Sequence, residues 1–496
     1  MTMKNTFIRV LALLILAIIL VTSMSCGETE NPNDTTPAVA ETTVDNQTVP
    51  EETTVSYDPK LEAKDWGGNE FYILYNGNDL EPNLDFVAED VTGATLNDAV
   101  YKRNVAIQEK YKLKISSKYS GDSTTMGSAQ AANASGDCSI HLCEVNQNYS
   151  MSMAINGFIH CIDELTNINT DKPYWIQSQL AGSSIKGKNY FAYSDANVHA
   201  VGATPVTIFN KKVREQFGLD DIYQLVYDGK WTYAKMSELV KVVTGDLDGD
   251  QQITKDDRLG LIANTFSIDC FISGSGYQML TKDDEDLPAI SINTEKFISI
   301  IEGIQSLCSV ENGMFLVDRT STATEAREYW TEWAITADRA LFWIGNFKCV
   351  ERLRASDTDF GVVPIPKATE DQQNYAVHMQ ANIGAAMSVP NCVTDVEGVS
   401  AVLEDIAYQS YLTVMPAYIE VLIQGQSIRD AESLKCISII RSSYYCDMGF
   451  MLSNFGVALL GTFRSCVMNN TGVASVVTGL EKNFPNQLKK IKKALG

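Results

Sequence analysis

Between residues 66 and 210, short apolar runs alternate with stretches of helical periodicity. No other feature limits the architecture as much. Phe71–Tyr75 (FYILY) reads as a buried strand closed by Asn76-Gly77. A helix is expected over Leu96–Tyr111, with Leu96, Val100, Ile107 and Tyr111 on one face. Leu113–Ser116, Ser139–Val145 (SIHLCEV) and Thr204–Phe209 (TPVTIF) read as further strands. Strands spaced by helices point to parallel sheets in α/β layers, because a parallel connection needs a crossover long enough to hold a helix. Such sheets bind ligands at the carboxyl ends of their strands. Helices dominate roughly the last hundred residues. The terminal Lys489, Lys490, Lys492 and Lys493 complement the dipole of the final helix.

The N-terminal end has a different texture. Lys4 and Arg9 precede an unbroken apolar run, Val10–Val21, of 12 residues. That is short of the roughly 20 needed to span a bilayer, but it suits a secretory signal. Small residues then lead to Cys26, as in a bacterial lipobox, although Ser23 stands where Leu is usual. We therefore expect residues 1–26 to be a lipoprotein signal peptide with Cys26 lipidated. Residues 27–59 contain eight acids, eight Thr and four Pro but no Lys or Arg. A segment so poor in large apolar side chains cannot offset the entropy of ordering, so it reads as a disordered acidic tether.

Charge narrows the partners. The chain of 496 residues carries 62 acids against 39 bases, a net −23. That balance repels phosphate backbones and disfavours nucleic acid. A mean hydropathy of −0.09 excludes a polytopic membrane protein. Ten cysteines follow Cys26 at irregular spacing with no CxxC pair, and the four His form no zinc pattern, so we expect mostly free, buried thiols. No GxSxG, HExxH or GxxxxGK[ST] motif occurs. A secreted glycosidase is not excluded, because it needs only two carboxylates placed in three dimensions.

Residues 246–257 carry the sharpest local motif. Asp246, Asp248, Asp250 and Asp257 occupy positions 1, 3, 5 and 12 of an EF-hand-like calcium loop, with Gln252 seventh and Ile253 eighth. Gln251 replaces the usual Gly at position 6, and Asp257 the usual Glu at 12. The plain alternative is an acidic surface loop. A calcium ion here is expected to be structural.

Longer stretches carry a resemblance. DELTNINTDKPYW (163–175), GKNYFAYSDANV (187–198), TIFNKKVREQFGL (207–219) and DIYQLVYDGKWTYAKMSELVK (221–241) run in order. TLNDAVYKRN (95–104), ERLRASDTDFGVVPIPK (351–367), MPAYIE (415–420) and RDAES (429–433) extend the match. This order resembles the family 1 extracellular solute-binding proteins of ABC importers, the branch that includes maltose- and oligosaccharide-binding proteins. The resemblance implies a two-lobed, type II periplasmic-binding-protein-like α/β fold. Lobe one would be 60–203 with 377–415, and lobe two 204–376 with 416–496. It also implies a monomeric, non-enzymatic receptor on the extracellular face of the bacterial membrane, delivering a sugar or oligosaccharide to a permease. The alternatives are a secreted carbohydrate-active enzyme and a binding protein for peptides or another polar solute. Sugars call for aromatic faces and planar polar groups. The candidate ligand residues are Trp175, Trp343, Asn76, Glu144, Asn146, Asp195, Asn197, Tyr277 and Asn346. For Trp175 and Trp343 the plain alternative is core packing. Trp231 is expected to be structural, beside Thr232 as a helix N-cap.

Overall fold

The computed structural model describes residues 56–76, 85–309, 314–317, 331–353, 356–423 and 431–495. Cys26, the apolar run before it and the tether as far as residue 55 lie outside the described residues, as do positions 429 and 430 of the RDAES segment. Among the described residues, no helix is long and apolar enough to cross a membrane.

The strands, in chain order, are β1 (Glu70–Tyr75), β2 (Lys114–Tyr119), β3 (Leu142–Asn146), β4 (Pro205–Asn210), β5 (Leu259–Ala263) and β6 (Leu280–Lys282). They continue as β7 (Pro288–Ile290), β8 (Met314–Leu316), β9 (Ala340–Asn346), β10 (Phe360–Val363) and β11 (Ala385–Ser388). One sheet has the order β11-β3-β1-β2 and a second the order β10-β4-β9-β5-β8, while β6 and β7 form a hairpin. β1 pairs in parallel with both β2 and β3, and β5 with both β8 and β9. β11, β4 and β10 run antiparallel to their neighbours. The expectation of parallel sheets is therefore corrected to mixed ones. The reason is the chain path: β4 and β11 enter their sheets without a preceding crossover helix of that sheet, so nothing forces them parallel.

Each layer is sealed by amphipathic helices. Thr95–Tyr111 (α1) buries Leu96, Val100, Ile107 and Tyr111, the face its periodicity indicated. It ends where Lys112 turns left-handed at φ 51°. Tyr233–Val243 (α2) is capped by the Thr232 hydroxyl, which accepts from the Lys235 N–H. Just before it, Trp231 is fully buried and donates its indole N–H to the Pro364 carbonyl at 2.8 Å. Phe266–Gly274 (α3) and Phe347–Leu353 (α5) pack on the second sheet, and Glu295–Leu307 (α4) packs on α2 and α3. Val396–Gln409 (α6) passes through a π turn, Ser410–Val414, into Met415–Ile423 (α7). Pro416 accounts for the widened turn, because it cannot donate an N–H to the residue four before it. Ala431–Ser442 (α8) follows.

Phe71, Ile73, Tyr111, Val402 and Ile406 share the core of the first sheet's layer. Met236, Phe271, Phe297 and Ile304 belong to the largest core cluster. Each fully buried side chain of this kind contributes roughly 1.5–3 kcal/mol. All ten described cysteines are free, and nine of them are buried. Two stretches link the layers. Ala203 accepts the Gln380 N–H at 3.3 Å, and the Thr204 hydroxyl meets the Tyr444 hydroxyl at 2.8 Å.

Candidate ligand-binding cavity

The parallel strands β5 and β9 end side by side, and a cavity of about 410 Å³ opens at their carboxyl ends. β4 begins there as well, with Pro205 opposite Asn346. The segment 378–383, which leads into β11 of the other sheet, closes the far wall. The cavity therefore lies where the two layers meet, at the position the strand-end rule indicates.

The walls are aromatic and apolar. Trp343 is buried between Ile208 and Ile262 of the flanking strands and still borders the cavity. Phe266 opens α3 and is 38% exposed. His378 stacks on Phe450 with ring centroids 4.3 Å apart, and burial holds its imidazole down at about 4, so it is neutral at pH 7.

The polar groups converge from different elements. Asn346, at the end of β9, accepts the Cys349 N–H at 3.1 Å and donates its amide to Gln380 at 3.1 Å. One side chain thus caps α5 and ties the second sheet to the crossing segment. Asp269 on α3 accepts from the Arg464 guanidinium at 3.0 Å. That guanidinium lies 4.7 Å from the Phe266 ring centroid. Burial pushes the Asp269 carboxyl up to about 7, and Arg464 only partly offsets it. Asn264, Arg352, Asn382 and the hydroxyl residues Ser267, Ser273 and Thr331 add to the polar lining.

Such a site can hold a flat, hydroxylated solute, with an aromatic face for its carbons and amides and a carboxyl for its hydroxyls. It is poorly equipped for bond cleavage. Among the described residues that line it, Asp269 is the one carboxylate, whereas glycoside hydrolysis uses two. Cys270 is held protonated, its thiol raised to about 12 by burial.

Of the sequence candidates, Trp343 and Asn346 meet at this cavity. The others lie elsewhere. Trp175 is a correction: it is 2% exposed and donates its indole N–H to Glu404 at 3.0 Å, beside Tyr174, which donates to the same carboxylate at 2.6 Å. Glu144 and Asn197 are buried and bonded to each other at 2.8 Å. They belong to a polar core with Asp85, Arg103, His199 and Lys348, in which Lys348 meets His199 Nδ1 at 2.7 Å. Asn76 and Asn146 both donate to Asp122, at 3.2 and 2.7 Å. Asp195 pairs with Arg441 at 3.5 Å. Tyr277 lines a separate groove. Asn76, Glu144 and Asn146 sit at or near strand ends and Asp195 and Asn197 in a connecting loop, but all five are hydrogen-bonded or ion-paired within the protein.

Sequence reasoning missed Asn264, Phe266, Asp269, Arg352, Gln380 and Asn382. The first three directly follow β5, so the strand-end rule applied to Leu259–Ala263 finds them. Gln380 and Asn382 sit in a segment with no periodic signal.

In the acidic loop, carboxylate oxygens of Asp246, Asp248 and Asp250 lie within 4.8 Å of one another. Gln251 adopts φ 65°, the left-handed backbone for which position 6 ordinarily carries Gly. Asp257 instead accepts the N–H groups of Leu247 and Thr254 at 2.7 and 2.8 Å. Gln252 donates its N–H to Asp250 at 2.7 Å. Three of the expected ligands thus converge, while Asp257 braces the loop.

No protein-family model and no curated protein sequence matches the chain. Solved structures do match its fold. An ABC substrate-binding protein from Listeria monocytogenes, in complex with cycloalternan, is 10% identical with a TM-score of 0.55, covering 85% of this chain and 99% of its own. The maltose/maltodextrin-binding domain MalE from Bdellovibrio bacteriovorus, bound to maltotriose, is 15% identical with a TM-score of 0.54, covering 85% and 100%. UgpB from Mycobacterium tuberculosis, in complex with glycerophosphocholine, is 15% identical with a TM-score of 0.54, covering 79% and 95%. The chain has the two-lobed α/β fold of these structures.

Proposed function

We propose that this protein is a non-enzymatic solute receptor that takes a sugar or short oligosaccharide into the cavity at Trp343 and delivers it to an ABC permease. The observation that carries the reading is the cavity itself. Trp343, Phe266, Asp269 and Asn346 converge where the strand ends of one lobe meet the segment crossing to the other. A ligand touching both lobes favours one relative arrangement of them, and that gives a permease a state to discriminate. In this reading lobe one is 60–203 with 377–415, and lobe two the rest of the body. Cys26 carries the lipid, and residues 27–59 hold the body off the outer face of the cell membrane.

Similarity of fold to proteins crystallised with cycloalternan and maltotriose supports a sugar. Similarity to one crystallised with glycerophosphocholine favours a second reading, in which the solute is another polar molecule. The single lining carboxylate speaks against the enzyme alternative. The loop at Asp246, Asp248 and Asp250, braced by Asp257, is proposed to hold a structural calcium ion.

Thermal shift of the full chain against mono- and oligosaccharides, peptides and glycerophosphodiesters, followed by chromatography of each hit, tests the function. A sugar that raises the melting temperature and is recovered intact is the expected outcome. Turnover of the hit, or stabilisation by peptides alone, defeats the reading.

A further inference from the structure

A second groove, of about 920 Å³, is bounded by the turn at 276–278, the segment 373–376 and the residues after α8. It shares a wall with the central cavity. Ala376 lines the groove while His378 lines the cavity, and the ring of Tyr445 meets that of His378 edge-on at 5.9 Å. Five of the 19 residues lining the groove are tyrosines, against 21 of 496 in the whole chain, an enrichment of about sixfold.

Four of the five tyrosines are fixed by their hydroxyls. Tyr277 donates to the Ser291 carbonyl at 2.6 Å, Tyr375 to the Val226 carbonyl at 3.0 Å and Tyr227 to the Glu432 carbonyl at 3.2 Å. The Tyr444 hydroxyl meets that of Thr204 at 2.8 Å. The Tyr277 ring also rests against Phe297, with centroids 4.9 Å apart. With their polar tips bound to protein, these side chains offer rings already held in place, so a ligand that stacks on them incurs little ordering cost. Tyr227 is 37% exposed. Gln278, Gln373 and Asn374 bring exposed amides to the same groove, each both donor and acceptor. The one buried cation, Lys367, donates to the carbonyls of Glu370 and Gln372 at 3.2 and 2.8 Å, so it does not call for an anion.

We propose that this groove is a second carbohydrate-binding surface, taking neutral glycan chains. The C–H face of a pyranose suits the electron-rich face of a tyrosine, and exposed amides suit its hydroxyls. The surface is distinct from the cavity and does not depend on what the cavity binds. On a tethered protein it raises the local concentration of a glycan beside the site that takes up solute.

Native electrophoresis of the full chain through gels containing amylose, mixed-linkage β-glucan, galactomannan or xylan tests the assignment. At least one polymer is expected to slow the protein. Tyr227→Ala and Tyr277→Ala should each weaken that retardation at least fivefold, while Tyr227→Phe keeps it. The double variant Gln373→Ala/Asn374→Ala, in an exposed turn, gives the same readout without removing a ring, and melting temperatures confirm folding. Unchanged migration in all four polymers overturns the proposal. So does retardation that survives both tyrosine replacements, or that is lost in Asp269→Asn, which would assign the polymer to the cavity.

Discussion

Trp175 and Trp343 are both nearly fully buried, at 2% and 3% exposure, but they have different surroundings. The Trp175 indole N–H satisfies a buried carboxylate, Glu404. Trp175→Phe leaves that oxygen short of a donor and should cost about 1–3 kcal/mol in chemical denaturation, with ligand affinity unchanged. Trp343→Leu removes the aromatic wall of the cavity and should weaken binding at least tenfold by titration calorimetry, about 1.4 kcal/mol. Asp269 adds a pH signature. Its carboxyl titrates near 7 in the folded protein, above its ordinary value of 3.8, so the folded state keeps a proton that the unfolded chain releases. The stability it contributes is therefore greatest below pH 3.8, declines as pH rises and levels off above about 7. Relative to Asp269→Asn, the wild type should lose up to about 1.4 kcal/mol per pH unit in that window, measured by urea unfolding. None of this was legible residue by residue. The sequence places an indole near a loop or in a strand, but whether it meets a carboxylate or a cavity depends on partners more than 100 positions away, Glu404 among them.

At the scale of elements, β1, α1, β3, β4 and the Thr232 cap stand close to where periodicity and capping chemistry put them, because each is set by neighbours in the chain. The antiparallel entry of β4 and β11 was not legible, since direction within a sheet is fixed by the route between lobes. The acidic loop lies between these cases. Its register was readable, but the spending of Asp257 on backbone amides was not. Gln251 holds φ 65° there, a conformation that costs a side-chain-bearing residue roughly 1 kcal/mol, so Gln251→Gly should raise stability by about 0.5–1 kcal/mol. If the loop binds calcium, millimolar calcium should raise the melting temperature of the wild type, and Asp248→Ala should abolish the shift; identical curves for the two proteins would remove the metal.

At the scale of the molecule, the two sheets are joined by apolar clusters that draw on both, Leu96 and Val100 packing with Ile208 and Val350 for example, and by polar contacts. Among the polar ones, Arg441 reaches Asp195, and Lys348 meets His199 inside a core that also holds Asp85, Glu144 and Arg103. Burial, followed by the Lys348 charge, holds the His199 imidazole down at about 3. The stability from this neutral histidine is present above its ordinary pKa of 6.5 and is lost as pH falls toward about 3. Asp85 and Asp195, both raised to about 6 mainly by burial, act with the opposite sign over part of the same range. The difference between wild type and His199→Gln, followed by urea unfolding against pH, isolates the histidine. In the proposed receptor the lobes move relative to each other on binding, and a part-buried pair such as Arg441 and Asp195 can return to water when they part. Small-angle scattering of the full chain, with and without a sugar that raises its melting temperature, tests the closing receptor most directly. The expected result is a smaller radius of gyration on binding, absent in Trp343→Leu, with the sugar recovered intact; a bound sugar that leaves the radius unchanged, or is cleaved, would contradict it.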